Sequence, residues 1–176
     1  MIVLSAFMPS YLTDHLKLGL DQMALVLSGM GLGSCIGMVV VPALSDRFGC
    51  KSIMIGALAL ELAALWMLPQ LGAEAWRLFA TLFVVGFMNA GLIAITVGPL
   101  TSRGVPARLA TTATGIVIGC GEVVGGAIAP ALAGGLAQRL GITIVLDIAL
   151  WAIAVGLTIV VLGVRVSRSQ PSFEPA

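Results

Sequence analysis

Leu44-Ser45-Asp46-Arg47-Phe48-Gly49-Cys50-Lys51, the stretch at residues 44–51, lies between two long apolar runs. It holds three charged residues in a chain in which 10% of the residues are charged and 59% are hydrophobic. A short charged segment between two apolar runs of membrane length is typical of the turn in a transmembrane helical hairpin, because charges are costly in hydrocarbon. The stretch therefore predicts an eight-residue turn and a fold built of membrane-spanning helices.

The composition places the protein in a lipid bilayer. Soluble domains carry about 25% charged residues, well above the 10% found in this chain. A formal net charge of +1 and the lack of any Lys/Arg run exclude a basic surface, so no nucleic-acid partner is expected. Cys35, Cys50 and Cys120 form no CxxC or Cys/His pattern. We therefore predict no metal site, no disulfide and no cofactor.

Five apolar segments are long enough to cross the membrane as helices. Each holds roughly 20 residues and reaches ~30 Å, the thickness of the hydrocarbon core. Because the connections are short, successive helices should run antiparallel, and we predict an all-α integral membrane fold. The five predicted full spans are residues 22–43, 52–69, 77–99, 110–133 and 142–164.

The two ends of the chain differ from this central bundle. Residues 1–12 begin with an apolar run that is too short to span a bilayer, so we expect the outer end of a truncated sixth helix. Two explanations stay open: Met1 is not the true start, or the gene itself is truncated. Residues 13–164 then form the five-helix transmembrane bundle, and residues 165–176 form a polar tail.

The basic residues predict the orientation of the bundle. Cytoplasmic loops carry an excess of Lys and Arg, and six basic residues fall on one predicted side against three on the other. We therefore predict that the C-terminal tail is cytoplasmic. The six are Arg47, Lys51, Arg103, Arg108, Arg165 and Arg168, and the three are Lys17, Arg77 and Arg139.

Glycines recur at helical spacing in two of the predicted spans. Hydrophobic drive between helices is weak in lipid, so close packing relies on small residues. A proline within the fourth span removes one helical hydrogen bond and favours a kink. Two interpretations stay open, static tight packing and helices that slide and bend during a conformational cycle. The residues concerned are Gly29, Gly33 and Gly37 in the first full span, and Gly125, Gly126 and Pro130 in the fourth.

Glu122 is the strongest candidate for a functional side chain. Charged groups inside a membrane are costly and are therefore functional candidates. Glu122 lies near the middle of the fourth span, among glycines that leave room for a neighbour or a substrate, and no Lys or Arg lies at a similar depth. It should therefore bind a proton readily and suits proton coupling or contact with a substrate. The alternative is a permanently protonated carboxyl that hydrogen-bonds a neighbouring helix.

Four further polar residues lie within the predicted spans. Glu61 is near the centre of the second full span and Asp147 is in the last, and neither has a basic partner at i±3 or i±4. Either could meet a polar group from outside this chain, or be a neutral carboxyl paired to a hydroxyl or a carbonyl. Asn89 and Thr96 in the third span could line a path, although such residues also hold helices together.

The sequence contains no catalytic constellation. It lacks a Ser/His/Asp set, an HExxH pattern, a P-loop and a GxGxxG pattern. We therefore do not expect an enzyme.

The residues quoted above resemble the major facilitator superfamily of secondary transporters, over essentially the whole chain. The superfamily's signature loop follows the second helix of each six-helix half and reads approximately G-x-L-(A/S)-D-R-x-G-R-(R/K). Pro42 and Cys50 depart from this pattern. The segment from Val105 to Pro130 also looks like the loop and eleventh helix of members that carry organic anions, aromatic acids or sugars. The positions that fit the signature are Leu44, Ser45, Asp46, Arg47, Gly49 and Lys51.

The resemblance implies helices seven to twelve, one half of a twelve-helix fold, in a bacterial inner membrane. In that superfamily two six-helix halves rock about a midplane site. The intact protein would then move a small solute by alternating access, coupled to protons. Its partners would be lipid, the solute, protons and the missing N-terminal six-helix half, and the fragment alone would be inactive. The alternatives are a half-transporter that acts as a homodimer and a non-transporting scaffold subunit.

The resemblance also implies a cytoplasmic latch at residues 44–51. Asp46 would hold a helix N-terminus near Arg108, and Arg47 would complete an ion-pair cluster, within a loop that includes Gly49 and Lys51. An anion at a helix N-terminus is stabilised by ~0.3–1 kcal/mol when it is exposed. The alternative is that Arg47 and Lys51 only fix the topology.

Overall fold

The computed structural model describes residues 2–101 and 105–163 of the chain, and it consists of helices joined by short turns. Five helices are long and apolar enough to cross a membrane. The predicted all-α membrane fold, with five full spans and a shorter first helix, is confirmed. The helices are α1 (Ile2–Ser10), α2 (Leu20–Phe48), α3 (Cys50–Met67), α4 (Ala75–Ile95), α5 (Ala110–Leu140) and α6 (Ile144–Gly163). Three of the basic residues used to predict the orientation lie outside the described residues, as does the tail from residue 165 onward. The three are Arg103, Arg165 and Arg168.

Three of these helices contain or adjoin π-helical turns. In α5, the segment Glu122–Ile128 is π-helical and lies between two α-helical stretches. Ala129 and then Pro130 follow, and the Ala129 N–H donates to the Val124 carbonyl five residues back. Proline has no N–H to donate, and the wider π-helical turn before it replaces the regular i→i−4 bonding with a bond five residues back. The other two π-helical segments are Tyr11–His15 after α1 and Thr96–Leu100 after α4.

The turn at residues 44–51 is much shorter than the predicted eight residues. Helix α2 continues through Asp46 and Arg47 to Phe48, and α3 begins at Cys50, so Gly49 alone separates the two helices. Gly49 has a φ of +87°, and its N–H donates to the Ser45 carbonyl at 3.0 Å. The predicted length was wrong because polarity was taken as the end of the helix. No residue between 44 and 48 obstructs helical backbone, and only glycine adopts the positive φ at low cost.

The closest helix pair in the fold is α2 with α4. A Cβ atom added to Gly29 would lie 2.7 Å from the Phe79 carbonyl oxygen. At Gly33 it would run into the Phe83 carbonyl, and at Gly37 into the Phe87 carbonyl. Three glycines on one face of α2 thus lie directly against successive turns of the α4 backbone. We call this contact the glycine seam.

The glycine seam is reciprocal. A Cβ atom on Gly86 of α4 would collide with the Met30 carbonyl, and one on Gly91 would collide with the side chain of Val41. The Ser34 hydroxyl lies 2.9 Å from the Met30 carbonyl oxygen and 3.4 Å from that of Gly86, which places a polar bridge across the seam. Main chain thus meets main chain from both helices, at Gly33 and Gly37 of α2 and at Gly86 of α4, and this contact sets how closely the helices approach.

Two apolar clusters fill opposite ends of the bundle. One joins the start of α2 and α4 to the end of α3, with Val26, Leu65 and Leu82 among its buried members. The other joins the end of α2 and α4 to the start of α3, with Val41 and Met54 among its members. This arrangement is that of helices running alternately up and down.

Lys51 connects two helices that are distant in sequence. Its Nζ donates to the Val161 carbonyl oxygen at 2.8 Å. That carbonyl lies in the last turn of α6 as far as the helix is described, and a cation near the carboxyl end of a helix is favoured by the helix dipole. The signature-like stretch therefore ties the start of α3 to the end of α6.

The glycine seam predicts opposite effects for two neighbouring substitutions. Gly33→Ala should lower the free energy of unfolding by about 1–3 kcal/mol, because the new methyl group meets a backbone carbonyl that cannot move aside. Gly31→Ala is the matched control, since nothing lies within 4 Å of its added Cβ. This variant should be neutral or more stable by up to ~1 kcal/mol through helix propensity. Thermal unfolding of both variants in the same detergent measures the difference, and equal stabilities would contradict the seam.

Candidate functional site

Glu61 and Asn89 form a polar pair within the bundle. Glu61 continues the buried stripe of α3, in register with Ala57 and Leu65, and only 2% of its surface is exposed. Asn89 lies on α4 and donates from Nδ2 to Glu61 Oε1 at 3.2 Å. The two candidates, which are 28 positions apart in the sequence, are thus brought together across the α3–α4 interface.

The pair has more acceptors than donors. Glu61 Oε2 and Asn89 Oδ1 are both buried, and no hydrogen-bond donor from the described residues reaches either atom. Each unsatisfied buried acceptor costs about 1–3 kcal/mol. A proton on the carboxyl would turn one of these acceptors into a donor. The arrangement can therefore accept a single hydrogen, either as a bound proton or from the hydroxyl or N–H group of a guest molecule.

The pair faces a cavity of ≈ 250 Å³ among α1, α3, α4 and α6. Glu61 and Asn89 supply its polar lining, and the other lining residues are aliphatic. An ionised carboxylate in such surroundings would accept one amide N–H, and no Lys or Arg is among the described residues that line the cavity, which favours the neutral form. The aliphatic residues are Val3, Leu4, Leu58, Leu65, Ile148, Ala149, Ala152 and Ile153.

Glu122 lies in a different environment. It is exposed on the π-helical segment of α5, away from the pair, and its Oε2 lies 3.1 Å from the position that a Cβ would take on Gly126. Gly126 therefore provides the space that the carboxylate occupies. Gly125 and Gly126 also approach Ile2 of α1, at 3.9 and 3.6 Å from the added Cβ positions.

Most of α5 makes little contact with the rest of the chain. Only 6% of its most apolar stretch is buried, compared with 44% for the span Ala75–Gly98. Unlike the three glycines of α2 in the seam, most of those in α5 face open space. No atom lies within 4 Å of a Cβ added at Gly115, Gly119, Gly121 or Gly135.

Thr96 is separate from the polar pair. Its hydroxyl donates to the Leu92 carbonyl at 2.8 Å, one turn back along α4. Its own carbonyl accepts from the Thr101 hydroxyl at 2.6 Å. Both bonds lie where α4 changes to the π-helical segment. The polar atoms of Thr96 are therefore used in hydrogen bonds within residues 92–101.

The latch candidates lie at three helix ends. Asp46 and Arg47 are exposed in the last turn of α2, and Lys51 is in the first turn of α3. Arg108 is exposed in a short 3₁₀ turn, Ala107–Leu109, directly before α5. A cation in the last turn of a helix is favourable and an anion there is not. Asp46 therefore occupies a position that the helix itself does not favour.

Sequence reasoning ranked these carboxyls differently from the structure. Glu122 was the first candidate because its neighbours are small, but the buried and incompletely hydrogen-bonded carboxyl is Glu61. The register of Glu61 with Ala57 and Leu65 was the signal for burial. No sequence signal places Asn89 opposite Glu61, because that contact depends on how two helices are rotated.

Comparison with known proteins is consistent with this architecture. The family model of the Major Facilitator Superfamily matches residues 1–176, the whole chain. A gentisate transporter of Corynebacterium glutamicum is 37% identical over 101 residues, which are 57% of this chain and 22% of that protein. The chain thus aligns with about a fifth of that relative's length. No solved structure matches the chain. Because the family match extends from end to end, this membrane protein belongs to the major facilitator superfamily.

Proposed function

We propose that the chain is part of a secondary transporter that moves a small organic anion, such as an aromatic acid, or a sugar, by alternating access coupled to protons. The observation that carries this proposal is the 37% identity to a gentisate transporter. Gentisate is an aromatic carboxylic acid. Transport rather than catalysis is also the activity of the superfamily. We further propose a bacterial inner-membrane location with a cytoplasmic C-terminus, on the excess of basic residues at that side.

Uptake of aromatic acids tests the substrate class. Cells that express the intact reading frame containing this chain should accumulate radiolabelled gentisate above vector controls. A benzoate lacking the hydroxyl groups and a hexose serve as comparison solutes. Accumulation of the hexose alone would indicate that the substrate is a sugar and not an aromatic acid. Uptake of none of the three solutes would contradict the proposal.

The open surface of α5 supports a protein partner in the membrane. Four glycines of α5 have no described atom within 4 Å of an added Cβ, and the exposed Glu122 lies on the same helix; the four are Gly115, Gly119, Gly121 and Gly135. A second six-helix half would cover this surface and place Glu122 at the boundary between the halves. A second copy of the chain would do the same, which is the homodimer alternative, and a scaffold subunit would use the face to bind another protein.

We propose Glu61 as the proton-binding carboxyl, with Asn89 as its partner and Glu122 as the competing candidate. The buried Glu61 carboxyl fits this cavity in its neutral form, because a proton supplies the missing donor. Loss of that proton would leave an ion with one N–H donor in apolar surroundings. Deprotonation therefore requires water to reach the buried carboxyl, which would couple the proton to a change in conformation.

Replacing each carboxyl by its amide distinguishes the two candidates. With one proton per solute, an inward gradient of one pH unit drives about tenfold accumulation. Glu61→Gln should lose this accumulation yet retain solute exchange, because the amide keeps the shape of the pair but binds no proton. Glu122→Gln is the matched variant and should respond to the gradient as the parent does.

Measurement of uptake with and without the pH gradient, beside counterflow, provides both readouts. If Glu122→Gln loses the gradient response and Glu61→Gln keeps it, the proton site lies on α5 instead. If both respond as the parent, neither carboxyl carries the coupling.

We propose that Asp46 and Arg108 form the cytoplasmic latch, with Arg47, Gly49 and Lys51 shaping it. An anion in the last turn of α2 is unfavourable unless an external positive group attracts it. Arg108 and the amino end of α5 provide such a group at the side of the bundle where α2 ends. The bond from Lys51 to the end of α6 supports a role of this stretch in joining helix ends.

A cysteine pair at positions 46 and 108 tests the latch. In a background in which Cys35, Cys50 and Cys120 are replaced by serine, the crosslink should form in one conformational state and be lost in the other. The two states can be biased with solute and with pH. Equal crosslinking in both states would contradict a latch and leave only a role in topology.

A further inference from the structure

A surface groove between α3 and α6 lies outside the site described above. Its volume is ≈ 610 Å³, and it is open along the side of the bundle. Its lining is apolar except for one carboxyl. The residues that form it are Ala59, Leu62, Ala63 and Trp66 of α3, and Asp147, Leu150, Trp151 and Ala154 of α6.

The polar and aromatic groups gather at one end of this groove. Helix α3 ends at Met67 and α6 begins at Ile144, so Trp66 and Asp147 lie at the same end, with Trp151 one turn further along α6. Both indoles are exposed, by 63% and 73%, and Asp147 is exposed as well. Tryptophan is enriched where the headgroups of a bilayer begin. This end of the groove therefore lies at headgroup level.

The other end of the groove is apolar and lies deeper in the membrane. Ala59 is seven positions from Trp66, and Ala154 is seven positions from Asp147, so each helix extends the groove by about 10 Å from the headgroup level. One leaflet of the hydrocarbon core is about 15 Å thick. The groove thus has the length and polarity of an acyl chain beneath a headgroup.

We propose that this groove binds a phospholipid whose headgroup carries a primary ammonium, as in phosphatidylethanolamine. The ammonium would donate to the Asp147 carboxylate and lie against the faces of Trp66 and Trp151, which attract cations. One acyl chain would follow the alanine-lined wall towards Ala59 and Ala154. The single carboxyl disfavours an anionic headgroup. A transported solute is a poorer fit, because the deep end of the groove offers it no polar group.

Lipid-dependent quenching of tryptophan fluorescence tests the proposal on the 176-residue chain in vesicles. In a variant with Trp66→Phe and Trp76→Phe, Trp151 is the remaining tryptophan, so the fluorescence measures quenching by lipid bound in the groove. Brominated phosphatidylethanolamine should bind about two- to fivefold more tightly than brominated phosphatidylcholine or phosphatidylglycerol, the range of an exposed charge pair. Asp147→Asn should remove this preference, and Asp147→Glu should retain it.

Trp76 provides the matched control. It lies at the same end of the bundle and is 71% exposed, but it does not line the groove. A variant that keeps only Trp76 should show no preference among the three lipids. Equal quenching of Trp151 by all three lipids would overturn the proposal, as would a preference that survives Asp147→Asn. Quenching of Trp76 with none at Trp151 would overturn it too, and would assign the groove to a protein partner.

Discussion

The contact of α2 with α4, backbone against backbone, is the constraint on which the rest of the fold depends. In lipid, helices gain little from hiding apolar side chains, so the close approach of main chains supplies the attraction. Gly33 and Gly37 of α2 lie against the carbonyls of Phe83 and Phe87. Gly86 of α4 in turn lies against the Met30 carbonyl of α2. Because any side chain at these positions would collide with main chain, the seam fixes both the distance and the rotation of the two helices.

The rotation of α4 determines which of its polar groups face the interior. With Gly86 held against α2, the next part of the α4 surface meets α3, and Asn89 reaches Glu61 there. The polar pair therefore depends on packing made by glycines and main chain, with the Ser34 hydroxyl as a polar bridge. A cost of about 1–3 kcal/mol for each buried acceptor without a donor is tolerable only in a scaffold held this firmly. The buried acceptors of Glu61 and Asn89 destabilise the fold, and the packing of the glycine seam offsets that cost.

The sequence predicts the number and nature of the spans well, because length and apolarity follow directly from bilayer thickness. It does not predict contacts between spans. Gly29, Gly33 and Gly37 share a face by spacing alone, yet the Gly125–Gly126 pair has the same composition and meets little more than Ile2. The length of the turn at Gly49 was missed because charges mark the membrane surface and not the end of a helix. The α3–α6 groove was missed because its two tryptophans come from segments that are far apart in sequence.

The contrast between α2 and α5 indicates where conformational change can occur. A seam of interlocked main chains has no second arrangement within reach, so α2 and α4 should move as one body. Helix α5 has the opposite properties: most of its glycines face open space, and a π-helical turn beside Pro130 has already relaxed the helical hydrogen bonding. Rocking of one half against another requires a rigid body and a deformable boundary. In the proposed transport cycle the α2–α4 pair would supply the first and α5 the second, with the buried Glu61 on α3 beside the rigid pair and the exposed Glu122 on α5.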